Sequence, residues 1–137
     1  MNIYTGNFAN LKKYEGRGLF PISIALSARY FNGVCYKKLN PDWSFKDDFP
    51  SLYIPKYNQK LKQLNPHVVM SELSQISNGK DVVLLCHEKE GDFCHRRLVA
   101  EWLEKELNIK VKELGKMETK QIDLFAENYE IMTIFAY

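Results

Sequence analysis

The sequence predicts an α/β domain in three layers, a mostly parallel sheet with helices on both faces. Three observations predict it. Short apolar runs alternate along the chain with stretches of helical period. The run Val-Val-Leu-Leu-Cys at 82–86 is continuously apolar, as suits a central parallel strand covered on both faces. Finally, 137 residues with 45% apolar and 26% charged side chains supply the core of one ordinary domain and leave little for a second.

The elements follow in order. Asn2 to Thr5 reads as a first strand, ended by Gly6 and Asn7. Phe20 to Leu26 reads as a second, buried strand, with Pro21 tolerated at its start. From Asn32 to Pro55 the chain is irregular, broken by Gly33, Pro41 and Pro50 and rich in aromatics. A loop this long in a small domain is usually functional. Helical spacing begins at Pro55, with Tyr57, Leu61 and Leu64 on one face. Asn65-Pro66 then caps and opens another helix bearing Val69, Leu73 and Ile76, and Asn78-Gly79 stops it. After the strand Asp81 to Cys86 and a polar loop, Asp92 can cap a helix from about Phe93 to Leu107. Leu98, Val99, Trp102, Leu103 and Leu107 form its apolar stripe. Ile109 to Leu114 is a last short strand. The division expected is an α/β domain over 1–116 and a C-terminal extension over 117–137.

Several classes of function are excluded. The longest uncharged apolar runs are far too short to cross a bilayer. No basic segment followed by an apolar one marks the start for secretion, and three cysteines form no disulfide framework, so a reducing cytoplasm is expected. No Walker-type loop and no GxGxxG is present, which leaves ATP hydrolysis and dinucleotide redox chemistry without support. The net charge of +2 is uneven: residues 1–46 carry seven Lys/Arg against two Asp/Glu, and residues 47–137 carry twelve against fifteen. A basic N-terminal third suits phosphate as a partner, though solvated surface lysines would give the same count.

Chemistry concentrates between Leu84 and Arg97. A buried strand ends, a polar loop turns, and a helix opens on Cys94-His95-Arg96. Ligands of open α/β sheets collect beyond the carboxyl ends of strands, where helix N-termini present unpaired N–H groups. There Arg96 could grip a phosphate through two hydrogen bonds, the positive field would favour a Cys94 thiolate, and Glu88 could act as a base. His95 is the other candidate for moving protons. Each residue also has a structural reading. Cys86 and Cys94 could be small buried apolar groups, and Arg96 could bridge a carboxylate and hold the loop. Metal binding is a rival for the cluster, with zinc the candidate. Adjacent residues on a strand point to opposite faces, so Cys86 and His87 are not expected to share an ion. No cofactor is therefore expected.

The run from Leu84 to Glu101 resembles the signature of domain of unknown function family 488: a strand ending in Leu-Cys, a short acidic loop, then Cys-His-Arg opening a helix. Ile3-Tyr4-Thr5-Gly6 and the aromatic Tyr57 are similar to that family too, so the likeness covers most of residues 3–114. The resemblance implies a small cytoplasmic α/β domain of bacteria, archaea or their phages. It carries over Cys86, Cys94, His95 and Arg96 as hallmark positions, and assigns Arg29 to the arginine found soon after the second strand.

Near the C-terminus, Gln121-Ile122-Asp123-Leu124-Phe125 is similar to the peptide with which bacterial DNA-processing proteins dock on the replicative sliding clamp. Leu124 and Phe125 would fill an apolar pocket and Gln121 would bond at its rim. The alternative is that this apolar tail folds back on the domain or joins two copies as a homodimer. The function expected is an enzyme acting on a nucleotide or nucleic acid, at the glycosidic bond or the base. Cys94, His95 and Glu88 are its candidate catalytic groups. Arg96, Arg29, Tyr4, Thr5, Tyr57 and Cys86 are its candidate binding groups, the aromatics stacking on a base. The competing expectations are a module that binds a nucleotide without turning it over and an accessory protein of replication or repair docked on the clamp.

Overall fold

A computed structural model describes residues 1–87 and 94–115. The elements are β1 (Ile3–Asn7), α1 (Leu11–Gly16), β2 (Phe20–Ser23), β3 (Val34–Cys35), α2 (Pro50–Lys62), α3 (Pro66–Ser77), β4 (Val82–Cys86), α4 (His95–Leu107) and β5 (Lys112–Leu114). The five strands form one parallel sheet in the order β3-β2-β4-β1-β5. The apolar run at 82–86 is its central strand, and all five of its residues are buried. The pleat divides them. Val82 and Leu84 join Ile3 and Ile22 against Tyr57, Leu73, Val99 and Leu103 from α2, α3 and α4. Val83 and Leu85 join Leu114 against Tyr14 of α1. Helices thus cover both faces of an α/β domain, three on one side and, among the described residues, the short α1 on the other. No described helix is long and apolar enough to cross a membrane.

Several boundaries differ from the sequence expectation. β2 ends at Ser23 rather than Leu26, and Ala25 and Leu26 beyond it line a cavity instead of extending the strand. α2 begins at Pro50, five residues early, with the amides of Leu52 and Tyr53 both bonded to the Phe49 carbonyl at 2.9 Å. Pro55 sits inside it on an exposed side. Buried Tyr53, Tyr57 and Leu61, at intervals of four, outweigh the one hydrogen bond that a proline removes. α3 follows expectation: Asn65 Oδ1 accepts from His67 N–H at 2.9 Å and Val68 N–H at 3.3 Å, and Asn78 closes it in the left-handed region at φ 56°. Cys94, not Asp92, holds the N-cap position of α4. α1 and β3 carry too few residues to show a period. The boundary between the domain and the extension at 117–137 lies outside the described residues.

α1 is tied to the sheet by Tyr14, whose buried hydroxyl donates to the Leu114 carbonyl at 2.6 Å and accepts from Asn7 N–H at 3.4 Å. Gly6 makes room for it, since a Cβ there would lie 2.5 Å from the hydroxyl. Gly6→Ala should therefore displace Tyr14 and destabilise the domain by about 1–3 kcal/mol, read as a lower denaturation midpoint at unchanged slope. Wild-type stability in that variant would mean that α1 packs loosely.

Candidate functional site

β2 and β4 are neighbours, and the chain leaves them in opposite directions: after β2 it pairs outward with β3, and after β4 it crosses β1 through α4 to reach β5. A crevice opens at the carboxyl ends of strands where connections part in this way. Here it is a cavity of about 350 Å³. Ala25, Leu26 and Ser27 beyond β2 form one wall, and Trp43, Lys46 and Asp48 of the irregular loop form another. Cys86, His87, Cys94 and His95 complete the lining.

Three of these side chains converge. Cys86 ends β4, Cys94 caps α4 and His95 is its first residue, and all three are at most 4% exposed. Nε2 of His95 lies 2.6 Å from the Ile24 carbonyl. A carbonyl can only accept, so Nε2 carries a proton, and whenever the ring is neutral Nδ1 keeps its lone pair. That lone pair meets Cys86 Sγ at 3.6 Å and Cys94 Sγ at 3.7 Å. The imidazole is held edge-on to Tyr57, with ring centroids 5.3 Å apart. Burial pushes the Cys94 thiol up. Hydrogen bonds from Cys86 and from the His95 ring, the positive charge the ring carries when both its nitrogens are protonated, and the Arg96 amide outweigh it and bring the pKa down to about 6. Cys86 Sγ, Cys94 Sγ and a His95 ring nitrogen lie within 4.8 Å of one another and are the group among the described residues that could hold a metal ion. His87 stands apart, as strand geometry requires, with Nε2 bonded to the Ser27 carbonyl at 2.5 Å.

The other expected residues are distributed differently. Arg96 is 1% exposed and off the cavity wall, its Nε donating to Glu113 Oε1 of β5 at 2.8 Å. It faces inward because it follows His95 at the start of a helix that packs on β1 and β4, within reach of Glu113 on β5. Tyr57 is fully buried, donates to the Leu39 carbonyl, and supports His95 instead of offering a stacking face. Tyr4 and Thr5 belong to β1, with Tyr4 packed in the α1-side cluster and Thr5 buried between Leu84 and Glu113 in register. Arg29 is exposed on the loop after β2, off the cavity wall. Glu88, and Gln121, Leu124 and Phe125, lie outside the described residues. Trp43, Lys46 and Asp48 were not singled out, although their long aromatic loop marked the segment.

Residues 24–107, more than half of the chain, match the family model DUF488-N3a, described as the active DUF488-N3 subclade. This chain belongs to the DUF488 family. The match begins at Ile24, whose carbonyl holds His95, and ends with α4, so it spans Cys86, Cys94 and His95. No curated protein and no solved structure shows a significant match to the chain.

The Arg96 pair is an internal one, so its loss should register as stability. Glu113→Gln removes a carboxylate from the buried guanidinium and should cost about 3 kcal/mol in chemical denaturation. An unchanged midpoint would show that other contacts of Arg96 satisfy it.

Proposed function

We propose that this DUF488 protein is an enzyme acting on a nucleotide or on a nucleotide unit of nucleic acid, with its reaction centre at Cys86, Cys94 and His95. One observation carries the reading: two sulfurs and an imidazole lone pair converge on the floor of a cavity large enough for a nucleoside. Structural cysteines have no need of a cavity, and an imidazole aimed at two sulfurs is an arrangement for chemistry. The cavity walls suit the substrate class. Trp43 is 65% exposed and brings an indole to the cavity, and Lys46, whose Nζ lies over the ring 5.9 Å from its centroid, supplies a charge for phosphate. The word "active" in the subclade's description supports an enzyme over a module that only sequesters its ligand. The reaction class that fits is nucleophilic displacement at the glycosidic carbon or the base, which lie at the buried end of a nucleotide whose phosphate is held at the rim.

The test is conversion of a panel of nucleoside mono- and triphosphates and single-stranded oligonucleotides, followed by mass spectrometry of the products. Release of a free base or a changed base mass is expected, reduced at least about 100-fold in His95→Gln with cooperative melting retained. Recovery of every substrate unchanged, with the melting temperature raised by one of them, would establish the sequestering module instead. Trp43→Ala should raise KM by about 5-fold to 100-fold, the worth of one stacked base, with a smaller effect on kcat. An unaltered KM would remove Trp43 from the binding face.

A further inference from the structure

Cys86, Cys94 and His95 have the geometry of a metal centre. Bonds of about 2.3 Å to sulfur and 2.0–2.1 Å to nitrogen, at tetrahedral angles, place sulfur and nitrogen ligands about 3.6 Å apart. Nδ1 of His95 stands 3.6 Å from one sulfur and 3.7 Å from the other. All three ligand atoms fall within 4.8 Å, so one ion reaches them with little side-chain movement. We infer that Cys86, Cys94 and His95 bind a zinc ion through Sγ, Sγ and Nδ1, with the fourth coordination position open to the cavity.

A second, independent feature supports the site. A ligating histidine needs its other ring nitrogen anchored, which sets the tautomer and aims the lone pair. His95 Nε2–H donates to the Ile24 carbonyl at 2.6 Å, and Tyr57 packs against the ring. The rotamer is therefore held before any ion arrives, by groups that gain nothing from its presence. Two thiolates and one imidazole form a soft donor set that favours zinc over magnesium, calcium or manganese. Three protein ligands with a cavity over the fourth position are the pattern of a zinc ion that keeps an exchangeable water, whereas a structural zinc is closed by four. Burial of both sulfurs and the ring excludes bulk solvent from the protein side of the ion. The place of the ion at a reaction centre rests on the function proposed above. Its presence rests on the ligand geometry alone.

The full-length protein, carrying no histidine tag, is stripped with chelator, reloaded and assayed for metal by elemental and native mass spectrometry. About one zinc per chain is expected. Cobalt(II) in its place should show the intense visible bands of a tetrahedral ion and a thiolate charge-transfer band in the near ultraviolet. Cys86→Ser should weaken binding by about 100-fold or more, and Cys35→Ser, which changes the exposed cysteine, should leave both stoichiometry and spectrum unchanged. Should Cys86→Ser fail to fold, the wild-type cobalt spectrum still reports two thiolates. A folded wild-type protein that takes up no zinc, or cobalt bound without thiolate charge transfer, overturns the site. Zinc loading with no nucleotide turnover would leave the metal centre standing and remove the proposed function. Turnover by the metal-free protein would leave the proposed function standing and take the ion out of the reaction.

Discussion

A single carbonyl organises this protein's crevice. At Ile24 the chain leaves the sheet: its N–H still bonds to Leu85 of β4 at 3.0 Å, but its oxygen points to no strand. A buried carbonyl must find a donor. His95 provides it from the first residue of α4, so the end of β2 and the start of α4 are joined by one hydrogen bond across the crevice. That bond settles which ring nitrogen carries the proton, and hence which one faces Cys86 and Cys94. The end of the strand, the start of the helix and the chemistry of the site share one constraint.

The surrounding structure is arranged to keep that constraint rigid. Tyr57 is fully buried in α2, bonds to the Leu39 carbonyl and presses on the imidazole, so the long loop, α2 and α4 are coupled through one ring. Arg96, the next residue, turns to the opposite purpose and ties α4 to β5 through Glu113. Adjacent residues at a helix start point about 100° apart, so one can serve a cavity while the other anchors a strand. The basic residue that looked best suited to hold an anion is in this way consumed by the fold, and Lys46 and Trp43 of the loop line the cavity in its place.

The covering of the sheet by the described helices also shapes the crevice. Three helices bury the face that carries Tyr57 and His95, and the crevice opens where the connections from β2 and β4 diverge. The cavity wall opposite the cysteines comes from a segment without regular helix or strand through Trp43 to Asp48, beyond a single short helical turn. Such a segment can change sequence without disturbing the sheet, so the cavity wall can vary while the sulfurs and the imidazole stay in place.

The α/β class, the central strand at 82–86, the Asn65 cap and the placing of Cys86, Cys94 and His95 where a strand ends and a helix begins were legible in the sequence alone. Each depends on local rules: an uninterrupted apolar run, a side-chain cap, and a motif carried within ten residues. The tertiary structure decided what depends on distant parts of the chain. Which donor meets the Ile24 carbonyl, just past the end of β2, depends on a histidine 71 positions later. Whether Pro55 begins a helix or lies inside one depends on the core that receives Tyr53. Whether Arg96 meets an anion or Glu113 depends on β5 docking beside β1. Periodicity reports which residues are buried, but only packing selects their partners, and a buried polar group takes its role from its partner.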